Sequence, residues 1–331
     1  MMKPLSLTQF ISEQAGASES LSLVLDDIIS ACQQIADLVH KGDLTQLLGD
    51  ADSENVQGEI QKKLDIITHD IFVEALINNP NIAGLASEEN DEIIPTKNHH
   101  DPKGKYLILF DPLDGSSNID INMSVGSIFS ILRCKHSTTL SEADFLQPGN
   151  QQIAAGFVLY GPSTMMILTT GQGVNAFTLN PQNDEFILTH PNIVIAENTS
   201  EFAINMSNQR FWEKPVQHYI NECVLGCDGP REKNFNMRWI ASLVAEVYRI
   251  LTRGGIFLYP RDNHKSKSGR LRLMYEANPI AFLVQQAGGD SSTGQEQILD
   301  IQPRELHQRV PLILGAKQEV QRLKEYHQSS L

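Results

Sequence analysis

Hydrophobic positions recur at helical spacing twice near the start of the chain. Leu21, Leu25, Ile28, Cys32, Ile35 and Val39 fall on one face, so an amphipathic helix is predicted over 21–39. Ile60, Leu64, Ile67, Ile71 and Ala75 repeat the pattern over 60–77, and Asn79-Pro80-Asn81 ends it. The pattern then changes to unbroken apolar runs. The run 82–86 stops at Ser87-Glu88-Glu89. YLILF at 106–110 reads as a buried strand that ends abruptly in Asp111-Pro112-Leu113-Asp114-Gly115-Ser116-Ser117-Asn118. Strand-like runs follow at 124–132, 152–160, 164–169 and 185–189, separated by Gly, Pro and Asn. A soft boundary at 191–194 divides an N-terminal part, 1–192, from a C-terminal part, 193–331. The second part has an apolar run at 240–251, a strand at 256–259 and a basic loop at 261–272. Its helix starts near Asn278-Pro279 and stops at Gly288-Gly289. Helices and strands without regular alternation predict an α/β fold of layered α+β type, not a doubly wound one.

Composition narrows the function. With 41% hydrophobic residues, the chain of 331 can bury a large core. A formal charge of -14 gives it no general electrostatic reason to bind nucleic acid or an anionic membrane. To hold an anionic substrate it needs a local device, such as bound cations. The start, MMKPLSLTQF, lacks the basic segment and apolar run of a signal peptide, and no apolar stretch is long enough to span a bilayer. A soluble cytoplasmic protein is expected. Cys32, Cys134, Cys223 and Cys227 are too few for a disulfide framework. Cys223 and Cys227 could meet on one helical turn, but two thiols make a poor zinc site, so free thiols are expected.

The strongest chemical signal is a set of acids at strand and helix ends: Glu88, Glu89, Asp111, Asp114 and Glu276, with Asp65 on the second predicted helix. Glu88, Asp111 and Asp114 each follow an apolar run, and strand ends converge on clefts. Clustered carboxylates repel one another unless cations neutralise them. Oxygen ligands without His or Cys favour Mg²⁺ or Mn²⁺. Two adjacent ions would clamp a phosphate ester and activate a water. Gly115-Ser116-Ser117 adds backbone N–H groups that suit a phosphate. The plain alternative is a tight Asp-Gly turn with solvated acids. An EF-hand is excluded, because Leu113 holds a ligand slot and Asn122 stands where the bidentate Glu belongs.

The segment 110–120, FDPLDGSSNID, resembles the signature of class I fructose-1,6-bisphosphatases. The wider lithium-sensitive phosphatase superfamily, including inositol monophosphatases, shares its Asp-Pro-x-Asp-Gly core. Collinear matches follow the same order: KKLD at 62–65, SEE at 87–89, AAGFVLYG at 154–161, GGIFLYP at 254–260, LRLMYEANP at 271–279 and QAGG at 286–289. Together they span roughly 8–325. The resemblance implies the sugar-phosphatase fold of alternating helix and sheet layers. It implies Mg²⁺-dependent hydrolysis of the 1-phosphate of fructose 1,6-bisphosphate, a step of gluconeogenesis. Glu88, Glu89, Asp111, Asp114, Glu276 and the carbonyl of Leu113 would ligate two or more ions per subunit. Asp65 and Glu89 would orient or deprotonate the attacking water. Glu59 stands where the family commonly has Asp.

The same resemblance implies a substrate site of Asp114, Gly115, Ser116, Ser117, Asn205, Tyr259, Arg270 and Tyr275. Arg238 would come from a neighbouring subunit of a homo-oligomer, a tetramer. Trp239 and Asn208 replace common Tyr residues, and Arg270 replaces a common Lys, a point charge becoming a planar fork. Thr45, Lys105, Tyr106 and Arg133 would form an AMP effector site, with the 42–45 segment receiving the phosphate. Two other readings stand beside this one: sedoheptulose 1,7-bisphosphatase activity, alone or as a second activity, and a catalytically dead metabolite sensor.

Overall fold

The computed structural model describes residues 5–13, 16–45, 50–54, 60–97, 105–135, 140–264 and 266–329. The first layer is helical. A short α1 (Leu7–Glu13) leads into α2 (Glu19–Lys41), whose buried stripe includes Leu21, Leu25, Ile28, Cys32 and Ile35. Ser18 caps α2, its hydroxyl accepting from the Leu21 N–H at 3.3 Å. α3 (Lys63–Leu76) begins where Lys62 N–H donates to Asp65 Oδ2 at 2.7 Å. Asp65 therefore satisfies one of the orphan donors at a helix start.

Between these helices, β1 (Asp50–Glu54) and β2 (Ile60–Lys62) pair antiparallel. Eight strands then form one sheet: β3 (Ile82–Ser87), β4 (Ile94–Pro95), β5 (Tyr106–Asp114), β6 (Val125–Arg133), β7 (Ala154–Tyr160), β8 (Thr164–Thr169), β9 (Asn175–Asn180) and β10 (Glu185–His190). Their order is β10-β9-β8-β7-β6-β5-β3-β4. β3 and β5 run parallel, and the other pairs are antiparallel. A single turn, α4 (Glu142–Phe145), sits between β6 and β7.

The rest of the chain runs β11 (Glu201–Ala203), α5 (Lys214–Leu225), β12 (Asn236–Met237), α6 (Leu243–Arg253), β13 (Ile256–Tyr259) and β14 (Leu271–Arg272). A π-helical turn, Leu273–Ala277, passes into α7 (Asn278–Gln286). Then come β15 (Asp290–Ser292), β16 (Arg309–Val310), β17 (Leu312–Gly315) and α8 (Lys317–Ser329). β12-β11-β13-β17-β15 make the second sheet.

Packing stacks these elements in alternating helix and sheet layers. Tyr106, Ile108 and Phe110 of β5 share a core with α2 and α3. On the other side of the first sheet, Val244 and Ile250 of α6 and Ile280 and Leu283 of α7 pack against Ile128 and Phe157. The same cluster reaches Phe257 and Leu312 of the second sheet. α5 and α8 cover the outer face of that sheet through Val216, Ile220, Val320 and Leu323. Both sheets therefore face one pair of helices. Among the described residues no helix is long and apolar enough to cross a membrane.

The close approach of α6 to β6 depends on Gly126. A Cβ there would lie 2.2 Å from the Val158 carbonyl oxygen and 2.7 Å from Val244 Cγ2. Gly126→Ala should destabilise the fold by about 1–3 kcal/mol through overpacking. Urea unfolding measures this, and an unchanged midpoint would show that α6 moves away at no cost.

Candidate active site

Successive side chains of a strand point to opposite faces. In β5 this rule holds to Phe110: Tyr106, Ile108 and Phe110 face α2 and α3, while Leu107 and Leu109 pack with Met274 and Tyr275. Beyond it the register against β6 shifts. Asp111 pairs with Ile128 and Asp114 with Gly126, so β5 carries one extra residue. The bulge reverses the alternation. Leu113 joins the cluster of Phe110, and Asp111 and Asp114 turn to the same side. Carboxylate oxygens of Asp111, Asp114 and Glu276 lie within 4.8 Å of one another.

Each acid of this group is held by backbone. Leu113 N–H donates to Asp111 Oδ1 at 3.0 Å. Val244 N–H, at the start of α6, donates to Asp114 Oδ2 at 3.1 Å. Glu276 sits in the π-helical turn, and its Oε2 accepts from Arg272 N–H at 2.6 Å. Glu88 lies one residue past β3, with its Oε1 2.7 Å from the Arg272 guanidinium, which is also 3.9 Å from Glu276. Asp65, Glu88, Asp111, Asp114 and Glu276 are all buried. Burial pushes Asp114 up to about 7, against the Val244 and Leu243 N–H groups and with Glu88 adding to the rise. Burial, then the charges of Glu88, Asp114 and Glu276, holds Asp111 well above the ordinary carboxylate range. Burial also raises Asp65 to about 7, opposed by its Lys62 hydrogen bond and helped by Glu89. One arginine does not balance so many carboxylates. An oxygen-only donor set with this surplus of negative charge fits hard divalent cations.

The acids line a cavity of about 490 Å³ together with Glu89, Leu113, Gly115, Ser116, Ser117, Asn205, Tyr259 and Arg270. Gly115 takes a left-handed φ of 76° at the turn into the 3₁₀ segment Ser116–Ile121, where a side chain would be strained. Trp239 also lines the cavity, stacked on Phe257 with centroids 6.0 Å apart and planes 2° apart. The Arg270 guanidinium lies 5.9 Å from the Tyr259 ring centroid. The cavity thus combines a cluster of acids with aromatic rings and a guanidinium. A larger hollow of about 820 Å³ lies beside Glu296 and Arg304, without a convergent group of acids among the described residues.

Other expected residues lie elsewhere. Tyr275 does not line the cavity: it is wholly buried, because it alternates with Glu276 and packs with Ala83, Leu107 and Leu109. Arg238 lies outside the cavity, half exposed, with its Nε 3.7 Å from Glu201. Asn208 opens on a narrow adjoining cleft. Thr45 cannot join Lys105, Tyr106 and Arg133 in one site. It follows the last turn of α2, a helix of 23 residues and so about 35 Å long. Tyr106 lies at the opposite end, where its hydroxyl meets Ser18 Oγ at 3.1 Å and Ser20 Oγ at 3.2 Å. Arg133 lies 5.9 Å from the Tyr106 ring. The Thr45 side chain and Glu59 lie outside the described residues. Arg272, the counter-charge to Glu88, escaped the sequence reading because it ended a loop read only as a basic cluster. The residues of the Ala241–Leu243 wall carried no charge signal at all.

The raised carboxyls make stability depend on pH and metal. Between the ordinary value of 3.8 and about 7, folded Asp114 keeps a proton that the unfolded chain has lost. The folded state then binds more protons, so metal-free stability falls as pH rises through that window. A bound cation favours the ionised form and reverses the loss. Mg²⁺ should therefore raise the melting temperature more at about pH 8 than at about pH 6. Melting curves with Mg²⁺ or a chelator test this, and equal gains at both pH values would reject it.

Residues 5–191 match the family described as Fructose-1-6-bisphosphatase, N-terminal domain, and residues 195–328 match the corresponding C-terminal domain. A class 1 fructose-1,6-bisphosphatase of Halorhodospira halophila is 55% identical over 332 residues, covering 98% of each chain. One from Acinetobacter baumannii is 55% identical over 328 residues, covering 98% of this chain and all of the other. The crystal structure of Leishmania major fructose-1,6-bisphosphatase in holo form superposes with a TM-score of 0.92 at 35% identity, over 98% of this chain and 99% of that one. With both halves matched and the layers reproduced end to end, the chain belongs to the class 1 fructose-1,6-bisphosphatase family.

Proposed function

We propose that this chain is a Mg²⁺-dependent phosphatase of the cytoplasm that hydrolyses the 1-phosphate of fructose 1,6-bisphosphate, giving fructose 6-phosphate and phosphate in gluconeogenesis. The observation that carries this reading is one cavity in which Asp111, Asp114 and Glu276 converge and which Arg270 also lines. A sugar bisphosphate carries one phosphate for metal ions on the acids and a second for the guanidinium. Glu88, Glu89, Asp111, Asp114, Glu276 and the Leu113 carbonyl would hold two or more ions. Such ions supply Lewis acidity and lower the pKa of a bound water.

The remaining chemistry belongs to the protein. Asp65, anchored by Lys62 N–H and raised to about 7, is suited to take the proton of an attacking water near neutral pH. Glu89 faces the same cavity and assists it. The Gly115-Ser116-Ser117 turn binds the reacting phosphate. Arg270, Tyr259 and Asn205 hold the remote one, where a planar guanidinium suits phosphate oxygens. Arg238, exposed beside Glu201, reaches the site of a neighbouring subunit in a tetramer. AMP binds at the start of α2, where Ser18, Ser20 and Tyr106 cluster beside Lys105 and Arg133.

Phosphate release from a substrate panel tests the reading. Fructose 1,6-bisphosphate should be hydrolysed with the highest kcat/KM, and chelation should abolish turnover. AMP should inhibit, and Ser20→Ala should weaken that inhibition while turnover persists. A preference for sedoheptulose 1,7-bisphosphate would reassign the substrate. No release from any sugar bisphosphate would favour a sensor. The role of Arg238 has its own test. Arg238→Ala subunits keep the acids and donate no guanidinium, and Asp114→Ala subunits do the reverse. Unfolded, mixed and refolded together, they should regain activity above either variant alone. Hybrids confirmed by mass without that gain would confine Arg238 to its own subunit.

A further inference from the structure

A bulge leaves backbone groups without ladder partners, and the one in β5 falls between two of the convergent acids. The register passes from Asp111–Ile128 to Asp114–Gly126, skipping Pro112, Leu113 and Ser127. Proline has no N–H to offer, so this stretch is tied through its carbonyls and side chains. Ser127 Oγ donates to the Pro112 carbonyl at 2.7 Å. The same peptide unit carries the Leu113 N–H, which donates to Asp111 Oδ1 at 3.0 Å. A peptide unit is planar, and its C=O and N–H point opposite ways. One plane is therefore pinned at both ends, by Ser127 on one side and by the Asp111 carboxylate on the other.

Ser127 is itself pinned. Its single proton goes to a carbonyl, so its oxygen accepts from Tyr160, 2.9 Å away on β7. Tyr160 in turn meets the Cys32 thiol on α2. The chain of donors runs phenol, hydroxyl, carbonyl, from β7 through β6 to the bulge. All three side chains are essentially fully buried, with exposures of 0%, 2% and 0% for Cys32, Tyr160 and Ser127. Water cannot substitute for a lost member, and buried polar networks of this kind set geometry rather than merely fill space.

We propose that Ser127 is a positioning residue for the metal-binding acids: through the Pro112–Leu113 peptide it fixes the orientation of the Asp111 carboxylate. Tyr160 fixes Ser127. The inference rests on the reading of Asp111 as a metal ligand. The expected effect belongs to groups that orient ligands without touching the ion, where losses of about tenfold in metal affinity are usual.

Calorimetric titration of Mn²⁺ tests this without relying on turnover. Ser127→Ala should weaken Mn²⁺ binding about tenfold. Ser127→Thr keeps the hydroxyl and should bind Mn²⁺ as the native protein does. Ser127→Val has the shape of threonine without the hydroxyl and should behave like alanine. Equal affinity in the Thr and Val variants would overturn the proposal, since volume alone would then explain the site. If the Ala and Val variants do not fold, Tyr160→Phe decides: it removes the donor that holds the Ser127 rotamer and should weaken Mn²⁺ in the same direction. Unchanged affinity there would also overturn it. A native protein that binds no Mn²⁺ rejects the metal reading itself. Native binding with an unaltered Ser127→Ala variant rejects only the role of Ser127.

Discussion

Mutual repulsion among buried carboxylates is the constraint around which the rest of the molecule is arranged. Carboxylate oxygens of Asp111, Asp114 and Glu276 stand within 4.8 Å, with Glu88 beside them, and the Arg272 guanidinium touches this group. Removing several charges from water costs far more than one ion pair returns. The protein tolerates the arrangement because every acid is braced from elsewhere: a bulge amide, a helix start, a π-helical turn and a guanidinium. The braces come from three separate chain segments, at Leu113, Val244 and Arg272, so the cluster exists only in the complete fold.

That dependence explains the layering. α6 and α7 lie between the two sheets and serve both of them. One end of α6 meets Asp114, and the turn before α7 carries Glu276. Moving either helix would therefore disturb the core and the acids together. Arg249 extends the coupling outward, bridging buried Glu246 to Glu201, which also meets Arg238 and Arg253 at the surface. The Ile240 N–H donates to Glu246 at 2.6 Å, tying the wall of the cavity to the same network.

Much of this was legible in the sequence where one physical signal dominated. The strands at 164–169 and 256–259 fall at those bounds because apolar runs between turn residues leave little choice. The first helix extends only two residues beyond its predicted stripe at each end. β5 runs on to Asp114, past the expected stop at 110, because an acid and a proline break an apolar pattern without breaking the extended backbone. α8 has little apolar stripe in a strongly polar stretch, and α5 is similarly mixed, so neither announced itself. The acids were readable because charges at the ends of buried strands are costly and need a reason. Tyr275 was not, since residue type says nothing about which face of a turn a side chain occupies.

The bulge also bears on how such a sequence can change over time. Deleting one residue between Asp111 and Asp114 would restore an unbroken ladder and an orthodox alternation, a more regular sheet by ordinary criteria. It would leave both carboxylates on one face but remove the Pro112–Leu113 peptide unit, whose C=O accepts from Ser127 and whose N–H donates to Asp111. Single substitutions in this stretch can be graded in their effects, but a change of length cannot be. Selection on the site thus acts on spacing as well as on residue identity, and it preserves a defect that selection for stability alone would repair. Homologous chains should vary in the residues around the bulge long before they vary in its count.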